Sequence, residues 1–344
     1  MRLGSTLAGC LTLWVSLFAA SGVAFAEPEK CAQPEKWAQP EKWARAETCA
    51  QPQKGAQPLA VSEIAAGVFV HFGMLEEWQP RNAGDVANLG FVVGNRCVAV
   101  IDTGGTPQVG HRMLAAVRQA TPLPVCYVVN THGHPDHVLG NVAFTGLPGE
   151  PVRFVGSARL SAALAARQRH VLNTLQRDFG LTLPSNAIVY PDLPVGEPVE
   201  LDLGDRLLVL NAWPTAHTDH DLTVYDHQTR TLFLGDLLFV SHLPVLDGNL
   251  RGWLRVMASL KGFDVAHAVP GHGAASDDWP AAMAPQWNYL DGLRVQTQAA
   301  LAAKLTIQQA VNTISAPADS SWQLAELFHR RNVTAAYAEL EWED

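Results

Sequence analysis

A chain of 344 residues with 48% hydrophobic and 17% charged residues has the balance of a globular protein. Residues 59–344 are enough for one large α/β domain with an ample core. The formal net charge of -9, with no basic stripe, argues against nucleic acid as a partner.

The N-terminus carries Arg2, then an apolar run from Leu11 to Ala20, then Ala24-Phe25-Ala26 before Glu27. This order reads as a secretory signal peptide over residues 1–26, with export to the periplasm. Two other readings are weaker: an uncleaved anchor, for which the run is short, and a lipoprotein box at Leu7-Ala8-Gly9-Cys10, which too few apolar residues precede. No later segment is long and apolar enough to span a bilayer, so no stable span is expected once the signal is cleaved.

Residues 27–58 are low in complexity. Ala32-Gln33-Pro34-Glu35-Lys36-Trp37 recurs as Ala38-Gln39-Pro40-Glu41-Lys42-Trp43, with degenerate copies around it. A proline every six residues excludes a continuous helix, and the segment has no apolar face to bury. It reads as a Pro-rich tether. Trp37 and Trp43 offer a partner-binding surface, though expansion of the repeat without function explains them equally well. Cys31 and Cys49 in the tether are able to pair in an oxidising compartment. Cys97 and Cys126 lie in neighbouring apolar runs, where buried free thiols are the preferred expectation over a disulfide.

The folded region, residues 59–344, reads in chain order as strands at 68–72, 89–93 and 97–101, then a helix over 107–119 opened by Pro107. A strand over 125–130 follows. A long amphipathic helix is expected over 157–179, capped by Ser157 and stopped by Gly180. Strands resume at 207–210, 222–225, 232–234 and 265–269, and the chain is mostly helical from Trp279. Two strand clusters, each followed by helices, fit an α/β four-layer αβ/βα sandwich with a helical C-terminal region.

His132, His134, Asp136 and His137 stand in the stretch Thr131-His132-Gly133-His134-Pro135-Asp136-His137, just past the 125–130 strand. Alternation lets His132, His134 and Asp136 converge, whereas His137 turns the other way, which suits a second metal beside the first. A solvated histidine-rich loop is the bland alternative. Three more donors follow apolar strands: His217, Asp236 and the glycine-flanked His272. Chemistry in layered α/β folds gathers at such strand ends.

The order His-x-His-x-Asp-His, His, Gly-Asp, Pro-Gly-His resembles the metallo-β-lactamase fold superfamily over about residues 59–344. The resemblance implies two zinc ions per chain. His132, His134 and His217 would hold one, Asp136, His137 and His272 the other, and Asp236 would bridge them. A bridging aspartate at that position is typical of the thioesterase-like and other hydrolase branches. The segments Val100-Ile101-Asp102-Thr103-Gly104-Gly105, Gly235-Asp236-Leu237-Leu238-Phe239, His242 to Gly248 and Asn332 to Glu343 are similar to one periplasmic branch, the zinc metallohydrolases of quinoprotein relay systems related to SoxH.

That resemblance implies a hydrolase in which a metal-bridging hydroxide attacks an ester, thioester or lactam-like small molecule, with Asp136 and Asp236 as catalytic carboxylates. Asp102 is placed to fix the tautomer of a ligand histidine; Asp221 either does the same or caps the turn after His217. His242 is a candidate pocket residue or a surface histidine, and His220, His227 and His267 read as structural. Two other functions compete. One is a mononuclear iron sulfur (persulfide) dioxygenase, and the other is a non-catalytic metal-binding accessory protein of a periplasmic quinoprotein system.

Overall fold

A computed structural model of the protein describes residues 56–317 and 322–342. The signal peptide, the hexapeptide repeat and the Cys31/Cys49 pair lie outside the described residues.

Among the described residues twelve strands form two sheets. The first contains β1 (Ser62–Ala65), β2 (Val68–His71), β3 (Leu89–Val93), β4 (Val98–Ile101), β5 (Val125–Val129), β6 (Arg153–Ser157) and β7 (Leu193–Val195) in sequential spatial order. It is antiparallel from β1 to β4 and parallel from β4 to β7. The second contains β8 (Val199–Asp202), β9 (Leu207–Ala212), β10 (Leu222–Asp226), β11 (Thr231–Phe239) and β12 (His267–His272), in the order β12-β11-β10-β9-β8. Only β11 and β12 run parallel there.

Strand alternation builds the layers. In β4, Ala99 and Ile101 face the second sheet and pack with Leu208, Leu210, Leu222 and Phe233. Val98 and Val100 face the other way, onto Val109, Met113 and Val117 of α1 (Pro107–Ala120). The outer face of the second sheet, with Leu232 and Leu234, packs on α4 (Leu250–Leu260), α5 (Ala284–Ala302) and α7 (Ala325–Leu340) through Trp253, Leu290 and Val333. The expected α/β sandwich with a helical C-terminal region is what the chain forms; α6 (Ile307–Thr313) lies between α5 and α7 in sequence.

Several expectations are corrected. Ser157 caps no helix: it ends β6, and α3 (Leu160–Phe179) starts three residues later with no side-chain cap. Arg153–Ser157 is a short strand between two parallel neighbours, a pattern without alternation that merges by eye into the helix behind it. Gly180 does end α3, in the left-handed conformation at φ 65°. Strands β1, β7 and β8 were also not expected. They are only three or four residues long, and β1 and β8 sit at the sheet edges. The thiols expected to be free are joined: Cys97 and Cys126 form a disulfide with Cα atoms 5.8 Å apart, tying the start of β4 to β5.

Candidate metal centre

Strand β5 carries the chain to Asn130, whose buried amide exchanges hydrogen bonds with that of Asn141, 3.1 and 2.8 Å. Thr103 Oγ1 donates to Asn141 at 2.8 Å. This lock holds the two ends of the histidine stretch together. Between them, Pro135 opens the single helical turn α2 (Pro135–Val138), which carries Asp136 and His137, and the His137 ring stays 4.2 Å from that of His132.

Asp236 lies within β11 rather than at its end. The strand kinks at Gly235, with φ 52° and a shift of register against β12. A Cβ there would stand 2.6 Å from Thr131 Cβ, so glycine is what lets the two segments approach. A Cβ on Gly271 of β12 would fall on Asp236 Oδ1, and glycine leaves that oxygen its space.

The seven donors gather in two sets. His132, His134, His217 and Asp236 present donor atoms within 4.8 Å of one another, and so do Asp136, His137 and His272. Asp236 stands between them. Its Oδ2 lies 3.7 Å from His132 Nε2 and 3.3 Å from His217 Nε2. Its Oδ1 lies 3.2 Å from His137 Nε2 and 3.5 Å from His272 Nε2. Asp136 Oδ2 is 3.6 Å from His137 Nε2 and 3.4 Å from His272 Nε2, which closes the second set. His217 Nε2 and His134 Nδ1 are 3.1 Å apart in the first.

Each ring is held by its outward nitrogen, which leaves the other ring nitrogen facing inward. His217 Nδ1 donates to Val245 O at 2.8 Å, and His272 Nδ1 to Val86 O at 2.9 Å. His134 Nε2 donates to Asp247 Oδ2 at 3.0 Å, and His137 Nδ1 to Asp102 Oδ2 at 2.8 Å. Thr131 Oγ1 donates to Asp102 Oδ2 at 2.7 Å and accepts from His132 Nδ1 at 3.1 Å. Asp102 therefore steadies one ring of each set, one directly and one through Thr131. It does so from a left-handed backbone, φ 56°, pinned by Thr131 N donating to its Oδ1 at 2.8 Å.

Charge separates the sets. Burial, unopposed by enough negative charge, pushes His217 down to about 3 and holds His132 well below its ordinary value. Burial also acts against protonation of His272 and His137, but Asp236 and Asp136 outweigh it. In the metal-free protein His272 rises to about 9 and His137 well above its ordinary value, with Asp102 adding to the latter. Burial works equally against ionised Asp136 and Asp236, yet the neighbouring imidazoliums hold both well below the usual carboxylate range. His132 Nε2, His137 Nε2 and Asp236 Oδ1 are buried with no hydrogen-bond partner among the described residues. Each such atom costs about 1–3 kcal/mol, a penalty that a cation at their focus removes. Five imidazoles and two carboxylates are a donor set for divalent metal ions, and the residues fit them.

The model of the Metallo-beta-lactamase superfamily matches residues 83–272. The chain belongs to this superfamily. Among solved structures it is similar to the stereoselective inverting sec-alkylsulfatase Pisa1 from Pseudomonas sp., at 16% identity and TM-score 0.61, covering 81% of this chain and 50% of that one. A double mutant of the same sulfatase gives TM-score 0.66 at 16% identity, over 82% of this chain and 50% of that one. The metallo-beta-lactamase from Pontibacter korlensis gives TM-score 0.54 at 21% identity, over 68% of this chain and 99% of that one. The chain thus spans half the length of the sulfatase structures, and these likenesses establish the fold. Comparison with curated proteins gives no significant match.

Beside the two donor sets opens a cavity of about 620 Å³, onto which His134, Asp136, Asp236 and His272 face. His242 lines it too and is almost wholly buried. Its Nδ1 donates to Leu243 O at 2.7 Å, and burial pushes its pKa down to about 4. Asp221 touches no ligand ring. It accepts from Thr218 N and from Thr218 Oγ1, at 2.9 and 2.5 Å, and so holds the turn after His217, while burial pushes its pKa up to about 8. His220, His227 and His267 lie outside both donor sets.

Sequence reading missed two supporting residues, Asp247 and Asn332. Asn332, fully buried on α7, donates to Pro244 O at 2.6 Å and accepts from Leu246 N at 3.0 Å. It clamps both sides of Val245, whose carbonyl holds His217. Asp247, two residues on, holds His134 and is itself held by Arg167 at 2.6 Å. Both residues stand in segments whose pattern is visible in the sequence. Their partners, however, are 88 and 113 residues away, a separation no local pattern encodes.

Proposed function

We propose that the chain is a periplasmic dinuclear zinc hydrolase of an ester, thioester or lactam-like small molecule, serving a quinoprotein redox system. The observation that carries the dinuclear reading is Asp236, which offers one carboxylate oxygen to each donor set. The compartment is supported by the N-terminal leader sequence and by the Cys97–Cys126 disulfide, a bond that persists where the surroundings are oxidising. The quinoprotein association rests on the sequence segments around Asp102, Asp236, His242 and Asn332.

His132, His134 and His217 would hold one zinc, Asp136, His137 and His272 the other, with Asp236 shared. Zinc ions bound there lower the pKa of a water and polarise an acyl oxygen. The protein's own part is arrangement. Asp102, Val245, Val86 and Asp247 keep the imidazole lone pairs inward, and the ionised Asp136 at the cavity wall orients the attacking water by accepting a hydrogen bond from it. The water oxygen bonds to the acyl carbon, the bond from that carbon to the leaving oxygen, sulfur or nitrogen breaks, and the leaving atom takes the proton. Phe239, Val86 and Val245 line the cavity with apolar surface on which a substrate body packs.

The test is turnover of 4-nitrophenyl esters, acyl thioesters and a chromogenic β-lactam by zinc-loaded protein, before and after chelation. Ester or thioester cleavage that chelation abolishes and zinc restores is expected. Full metal loading with no turnover of any of the three contradicts a hydrolase.

A further inference from the structure

We propose that the substrate carries a negative group remote from the bond that is cleaved, and that Arg331 binds it. The proposal rests on the hydrolase reading above and adds the substrate's charge. Arg331 lies in α7, beyond the residues matched by the superfamily model.

A row of neighbouring rings leads from the candidate metal centre to this arginine. The His272 ring lies 4.9 Å from His242, His242 lies 5.4 Å from Phe328, and the Arg331 guanidinium sits 5.5 Å over the Phe328 face. His272, His242, Phe328 and Arg331 all line the one cavity. An elongated substrate with its reacting carbonyl beside His272 would lay its apolar body along these rings and bring its far end to the guanidinium. A guanidinium stacked on an aromatic face keeps its N–H edge free for a carboxylate or another oxyanion.

The other cations of the cavity are already engaged. Arg167 pairs with Asp247 at 2.6 Å, and Arg177 pairs with Asp178 at 2.6 Å. Among the described residues Arg331 has no carboxylate partner, in a chain where Asp and Glu outnumber Lys and Arg by 33 to 24. The backbone that carries this exposed side chain is nevertheless fixed. The next residue, Asn332, is the one clamped between Pro244 and Leu246, so the backbone that carries Arg331 is tied to the loop supporting His217.

The experiment uses the zinc-loaded protein and two esters that differ only at the far end and are long enough to follow the row of rings, mono-4-nitrophenyl sebacate and 4-nitrophenyl decanoate. The wild type is expected to favour the sebacate in kcat/KM by about tenfold, mainly through KM. In Arg331→Gln that ratio is expected to fall to near one, and Arg331→Lys to recover part of it. A turnover-free arm measures binding of 4-phenylbutyrate and 4-phenylbutyramide by ligand-observed NMR. The carboxylate should bind the wild type more tightly than Arg331→Gln by a similar factor, with little change for the amide. Equal carboxylate binding by the two proteins overturns the anion site, whatever happens to the esters. A carboxylate preference that depends on Arg331, with neither ester cleaved, overturns the hydrolase reading and leaves the anion site standing.

Discussion

The two donor sets share Asp236 but are built differently. The first is three histidines with outward nitrogens on Thr131, Asp247 and Val245, and burial keeps two of them, His132 and His217, neutral. The second mixes Asp136 with two histidines that carboxylates hold protonated in the metal-free protein. At His132 and His217 the first set therefore stands ready as lone pairs, and it depends on its loops for geometry. The second set keeps its own positive charge in the place of a cation, and it must release protons to take a metal.

The largest effect is expected at the shared residue. Asp236→Ala removes the carboxylate that both sets face and leaves buried imidazoliums without their counter-charge, so turnover should fall on the order of a thousandfold or more. Steady-state kinetics with metal analysis checks this, and a variant with two tightly held metals and near-normal rates would break the comparison at its centre. Asp102→Asn should come next, with metal binding weakened by about 10–100-fold in both sets, because Asp102 holds His137 directly and His132 through Thr131. Chelator competition reads the two affinities separately.

Asn332→Leu sharpens the contrast. It frees the loop around Val245 and should weaken the first set by about threefold to tenfold while sparing the second, a smaller effect than at a residue touching the ligand. It should also destabilise the fold by about 1–3 kcal/mol, since Pro244 O and Leu246 N lose their partner. Equal weakening of both sets would show that the clamp serves the fold alone.

The smallest effect expected is a pH dependence of stability. In the metal-free protein the contribution of His272, raised to about 9 from 6.5, is complete below pH 6.5 and is lost as pH climbs through 9. His217, depressed to about 3, withdraws stability as pH falls from 6.5 toward 3. Metal-free protein should thus be most stable near pH 6.5, and the Tm difference between loaded and metal-free protein should widen from pH 6.5 to 9. Scanning calorimetry of both forms follows it, and a constant difference would mean that the second set takes its metal without losing protons.

The seven residues of the two donor sets were legible because their chemistry is local: histidines and aspartates at or near strand ends, spaced so that the chain's own geometry gathers them. The strands with clear alternation or β-branched runs, such as Leu89–Val93 and Leu222–Asp226, were legible for the same reason. Arg153–Ser157 was not, since a short strand buried between parallel neighbours has no period to read. The disulfide depended on the facing of two strands, which an unresolved register leaves open. The support of the site was the least visible part. Whether Asp247 and Asn332 meet His134 and the Val245 loop is decided by how α7 packs on the second sheet, a tertiary fact that spacing does not carry.

The most direct measurement is elemental analysis of protein purified without added metal, for wild type, His217→Ala and His272→Ala. About two zincs per chain are expected in the wild type and about one in each variant, a different one being lost in each. A single iron in the wild type, or loss of all metal in both variants alike, would contradict two sets joined by Asp236.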